Sequence, residues 1–104
     1  MARILKQDAE RLLANVPEEH VFRCCDGRTF RSMGELGEAF TSMSEETFNT
    51  HVNQSKNDFS NWVRDIIRDD KLARDLQKSA SPDQAAKSVA ARVAFLTSKS
   101  KSSG

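Results

Sequence analysis

Apolar positions recur along most of this chain at helical spacing. From Arg3 to Val16, Leu5, Ala9, Leu12, Leu13 and Val16 fall on one stripe, with Lys6, Glu10 and Arg11 off it. That pattern predicts an amphipathic helix. Pro17 ends it, because proline disfavours helical geometry in the residue before it. Residues 20–31 change the period and read as a β-hairpin around Asp26-Gly27. A two-residue loop there would place Phe22 and Phe30 on opposite faces. A three-residue loop, Cys25-Asp26-Gly27 with Gly27 left-handed, places Phe22, Cys24 and Phe30 together. One face must be buried, so the hydrophobic pattern selects the second register. Cys24 then points inward as a small hydrophobe and Cys25 sits in the loop. An isolated hairpin is marginal in water, so this one must lean on helices.

Helical periodicity then returns. Ser32-Met33-Gly34-Glu35 is a capping box, and Met33, Leu36, Phe40 and Met43 mark the buried stripe of the helix it opens. Ser44 is the next N-cap. Glu45 and Glu46 sit at the positive end of that helix's dipole, and Phe48, His51 and Val52 form its inner face. The polar run from Asn53 to Asn57 breaks the pattern and reads as a loop. From Asp58 to Arg68, Phe59, Trp62, Val63, Ile66 and Ile67 keep helical spacing without a fault. Asp69 or Asp70 caps a short helix carrying Leu72, Ala73 and Leu76. Ser81-Pro82-Asp83-Gln84 is a second capping box with proline at the first helical position. The last helix runs to about Thr97 on a narrow stripe of Ala86, Val89, Val93 and Leu96.

The fold class predicted is mainly α (α+β): five or six helices with one β-hairpin near residues 20–31. A single domain spans 1–97, with flanking helices 3–16 and 82–97, and the Ser/Lys-rich residues 98–104 form a disordered tail. The central core is expected from Phe22, Phe30, Leu36, Phe40, Phe48, Phe59, Trp62, Val63, Ile66 and Leu72. Narrow stripes such as those of the two terminal helices suit packing on one other helix or on a second copy of the chain.

Composition trims the functional classes. The chain has 104 residues, one domain's worth, and a net charge of +1. No overall field draws it to nucleic acid or an anionic membrane. After Asp83 there is no acid, while Lys87, Arg92, Lys99 and Lys101 follow, so the C-terminal end is locally basic. Met1 to Val16 is charged throughout, without the apolar segment of a signal peptide, and no apolar run approaches the roughly 20 residues of a membrane helix. A cytoplasmic location is expected, with no membrane attachment and with Cys24 and Cys25 as free thiols.

The chemistry-bearing residues are few. His20, Cys24, Cys25 and His51 are the soft metal ligands. Zinc sites pair ligands as Cys-x-x-Cys or His-x-x-x-His, and adjacent cysteines on a strand point to opposite faces, so no metal is expected. His51 with Asp58 has the composition of a His–carboxylate dyad, for which Cys24 or a serine would be the nucleophile. No glycine elbow or oxyanion loop flanks these residues, and His51 lies on an apolar helix face. A structural His51, bonded to Asp58 or touching Trp62, is the expectation, and the chain is read as not an enzyme. The carboxylates sit at helix starts and on wet faces, where capping explains them. There is no calcium loop and no glycine-rich phosphate loop, so no cofactor and no small-molecule substrate is expected.

Several of these elements together resemble an uncharacterised domain family found mainly in archaea and some bacteria. The resemblance covers Val21 to Leu76. It rests on the Phe-containing strand and Asp-Gly turn, the Ser-Met-x-Glu-Leu helix start, Met43-Ser44-Glu45-Glu46-Thr47-Phe48 and His51-Val52-Asn53. It closes with Asn57-Asp58-Phe59-x-x-Trp62-Val63 and Asp70-x-Leu72-Ala73. It implies an archaeal-type cytosolic protein acting as a recruiting or sensing module, and carries over no catalytic residue.

The function expected is therefore a non-catalytic protein-interaction module, acting on a protein partner or on a second copy of itself. The candidate contact residues are Arg23, Arg28 and Arg31 on the hairpin and Lys87, Val89, Arg92 and Val93 on the last helix. The alternative is weak, sequence-nonspecific nucleic-acid binding through the hairpin arginines and the basic C-terminal segment. Against it, the Phe residues and Trp62 are all committed to the core, so none is left to stack on bases.

Overall fold

A computed structural model of the protein describes residues 5–101. In chain order it contains α1 (Lys6–Leu13), a 3-10 turn (Glu18–His20), β1 (Phe22–Arg23), β2 (Thr29–Phe30), α2 (Met33–Ser42), α3 (Glu45–His51), α4 (Asp58–Trp62), α5 (Asp70–Gln77) and α6 (Pro82–Ser100). The fold is mainly α with a single antiparallel hairpin, as the pattern predicts.

The helix starts follow local side-chain chemistry. Ser32, Ser44, Asn57, Asp69 and Ser81 each accept a hydrogen bond from a backbone N–H of the first turn they precede. Both predicted capping boxes close one residue early: Glu35 accepts the Arg31 N–H at 2.7 Å and Gln84 accepts the Ala80 N–H at 2.8 Å. In the hairpin Phe22 faces Phe30 and Arg23 faces Thr29. The Cys24 N–H reaches the Arg28 carbonyl, and Gly27 has φ +95°. This is the three-residue loop selected by the hydrophobic pattern, with glycine where a left-handed residue is needed.

Three boundaries differ from the sequence expectation. The first helix stops at Leu13 rather than Val16, because Ala14 is already extended and the Val16 N–H bonds to the Arg31 carbonyl at 2.7 Å. Its predicted start at Arg3 lies outside the described residues. The helix from Asp58 is α-helical only to Trp62. Residues 63–67 form a wider π turn, in which the Arg68 N–H reaches the Val63 carbonyl at 2.7 Å. Arg68 ends the turn in the left-handed region, φ 73°. The last helix continues through Ser100, so residues 98–100 of the expected tail are helical; residues 102–104 lie outside the described residues.

The core is one cluster from Ala9 to Leu96. Phe22 stacks on Phe30 and Phe59, meets Trp62 edge-on, and Phe40 and Phe48 close the aromatic group around Phe59. The Trp62 indole N–H donates to the His20 carbonyl at 2.8 Å. Of the residues expected in this core only Ile66 is merely half-buried, because the π turn rotates it outward. The terminal helices are not a separate layer. α6 lies along α2 and α1, burying Ala85, Val89 and Leu96 against Ala9, Leu12, Leu36 and their neighbours. The contact with α2 is close at Gly37, where a Cβ would stand 2.7 Å from Val89 Cγ1. Among the described residues no helix is long and apolar enough to cross a membrane.

Candidate functional site

The hairpin is held from beneath by α3 and α4. His51, the last residue of α3, is buried with its ring against Phe22 and Phe59, centroids 5.2 Å from each. Its Nε2 accepts the Cys25 backbone N–H at 3.0 Å, and its Nδ1 lies 3.0 Å from Asp58 Oδ2. An accepting Nε2 puts the proton on Nδ1, so Nδ1–H donates to the Asp58 carboxylate. One imidazole thus ties the hairpin loop to the start of α4. Burial pushes the Asp58 carboxyl up, but hydrogen bonds from His51 and Lys56 outweigh it and hold the group below the ordinary carboxylate range.

The Cys25 amide donates to Nε2, and among the described residues no thiol or hydroxyl is hydrogen-bonded to His51. The bond between His51 and Asp58 is one of the contacts expected from the sequence.

The two thiols behave differently from the opposite-face expectation. Alternation ends at Cys24, because Cys25 opens the three-residue loop and is freed from strand geometry. The two sulfurs and a ring nitrogen of His51 lie within 4.8 Å of one another. Cys24 is buried and Cys25 exposed, and neither is in a disulfide. Burial pushes the Cys24 thiol up; the Asp26 backbone N–H opposes this and the Asp26 carboxylate adds to it. The spacing argument against a metal therefore fails on geometry. The three-residue loop read from the sequence already put Cys25 off the strand, and the opposite-face argument did not carry that reading through.

The hairpin also gathers Arg23, Arg28 and Arg31. All three are exposed. Arg28 pairs with Asp26 at 2.9 Å and lies over the Phe30 ring, while Arg31 stands 4.0 Å from Glu18. Arg28 also holds the Asp26 carboxyl below its usual range, chiefly through its backbone N–H. Arg23 makes no ion pair among the described residues. On α6 the expectation holds less well. Lys87 is exposed, but Val89 is fully buried beneath Gly37, and Val93 is half-buried against the core. Neither valine is a contact surface in this fold, since α1 and α2 cover the stripe. Arg92 is withdrawn as well. Its Nε and Nη2 donate to Asp69 Oδ2 and Oδ1 at 2.8 and 3.1 Å, with only 10% of its side chain and 1% of Asp69's exposed.

Compared with known protein families, curated proteins and solved structures, the chain matches none of them.

Proposed function

We propose that the protein is a non-catalytic, cytoplasmic interaction module that presents the outer face of its hairpin to an acidic protein partner. The observation that carries this reading is the bracing of the hairpin. His51, Trp62 and Phe22 fasten the loop and strands to α3 and α4, while Arg23, Arg28 and Arg31 are exposed on that braced element, Arg28 and Arg31 beside Asp26 and Glu18. Charged side chains on a held element lose little backbone freedom on binding, and arginine is a favoured anchor at protein interfaces. The recruiting role implied by the sequence resemblance is of the same kind. The self-association reading has lost its motive, because the stripe of α6 is used within the chain.

Fluorescence titration tests this with two probes, polyglutamate and a single-stranded oligonucleotide, at low and physiological salt. Saturable binding of the acidic polypeptide is expected, lost in Arg23→Glu/Arg31→Glu with the melting temperature unchanged. Tighter binding of the oligonucleotide, with a steep salt dependence, would replace the reading by nucleic-acid binding. Binding of neither probe would overturn both.

A further inference from the structure

The loop of the hairpin and the end of α3 converge on a set of soft donors outside the arginine face just described, although His51 also braces the hairpin that carries that face. Two thiols and one imidazole nitrogen lie within 4.8 Å of one another. We propose that Cys24, Cys25 and His51 bind a soft d10 cation, zinc(II) or copper(I), through two sulfurs and Nε2.

Four features support this, and the first is distance. Metal–sulfur and metal–imidazole bonds of about 2.3 and 2.0 Å require the donors to stand roughly 3.5–4 Å apart. The set is within about an ångström of that spacing, and Cys25 is exposed and free to turn. Second, the imidazole is already oriented from behind. His51 Nδ1–H donates to Asp58 at 3.0 Å, the carboxylate–histidine arrangement that fixes tautomer and ring angle at metal sites. Nε2 is then the nitrogen on the thiol side, since it faces the Cys25 amide. Third, the site has a wall and a door. Phe22 and Phe59 shield the ring, Cys24 is buried, and Cys25 opens to solvent, which leaves a further coordination position for water. Fourth, the donors are two thiols and an imidazole, a set that selects against magnesium and calcium.

Binding balances simply. Two thiol protons pass to solvent, two S–metal bonds and one Nε2–metal bond form, and the Cys25 N–H gives up its hydrogen bond to Nε2. The proton on Nδ1 stays where Asp58 holds it.

The full chain, reduced and freed of metal, is titrated anaerobically against chromophoric chelators with zinc(II), copper(I) and, as control, magnesium(II). One equivalent of zinc or copper per chain is expected, with no magnesium uptake; the arm that saturates identifies the ion. Cys25→Ser should weaken binding at least tenfold, and Asp58→Asn about 10- to 100-fold. Cys25 is exposed, so its serine variant should keep the wild-type circular dichroism and melting curve. The imidazole 15N spectrum should move at Nε2 and not at Nδ1. Absence of one-to-one binding of either ion overturns the proposal. So does equal affinity in a folded Cys25→Ser variant, which would place the ion elsewhere.

Discussion

Two buried polar joints hold this fold, and they differ in what they leave over. At the α5–α6 side, Asp69 accepts two bonds from Arg92 and caps α5 through the Leu72 N–H at 3.1 Å. Both side chains are nearly sealed, and Nε and Nη2 of Arg92 are spent on Asp69. At the hairpin side, His51 bridges the Cys25 amide and Asp58, but its neighbour Cys25 is open to solvent and Asp58 is a third exposed. The closed joint acts only on the fold. The open one adjoins the exposed arginines and the two thiols, where a ligand has access. Polar burial alone therefore does not single out a candidate site; an open edge beside it does.

The largest effect is expected at the closed joint. Asp69→Ala strands a buried guanidinium and removes a helix cap, costing roughly 3–5 kcal/mol. Arg92→Leu should cost a similar amount, and the double variant clearly less than the sum, because the two share one interaction. Urea unfolding of the four proteins reads this directly; additive losses would show that the pair is not a unit. On the hairpin side Trp62→Ala should cost about 3–5 kcal/mol through lost packing and the lost bond to His20. A melting curve unchanged from wild type would refute the aromatic core.

A smaller loss is expected where α2 meets α6. Gly37→Ala drives a methyl into Val89 and should cost about 1–3 kcal/mol. Val89→Ala should relieve part of it in the same chain. If the two losses simply add, the helices are not as close as 2.7 Å implies.

The open joint should carry a pH signature. The Asp58 carboxyl is held below its unfolded value of 3.8, so its contribution is complete above that value and fades as pH falls through the lower folded value. Stability should therefore drop more steeply as pH falls below 3.8 in wild type than in Asp58→Asn. Parallel acid melts of the two would place the stabilisation elsewhere. The smallest effect is at the π turn. Arg68 is exposed and left-handed, so Arg68→Gly should raise stability by roughly 0.5–1 kcal/mol in chemical denaturation.

Much of this was legible in local sequence. Alternation and one Asp-Gly turn were enough for the hairpin register, and three of the five capping residues, Ser32, Ser44 and Ser81, follow from local spacing, while Asp69 was one of two candidates and Asn57 was read as loop. His51 with Asp58 could be paired because seven residues separate them across one loop. Asp69 with Arg92 could not, since the two stand 23 positions apart and nothing local distinguishes Arg92 from a solvated helix cation. The close approach at Gly37 was equally hidden, because it depends on where another helix crosses. Val89 and Val93 were misassigned for that reason: a narrow stripe states how much surface wants cover, not which element supplies it. The π turn broke an unbroken apolar pattern, as the wider turn keeps Val63 and Ile67 inside and turns Ile66 partly out.

The account turns on the proton of His51. Imidazole 15N spectra of the reduced, metal-free protein near neutral pH measure it. The bracket between Cys25 and Asp58 predicts a protonated Nδ1 and an unprotonated Nε2 in one fixed tautomer. A protonated Nε2, or exchange between the two tautomers, would contradict both the fastening of the hairpin and the donor set beside it.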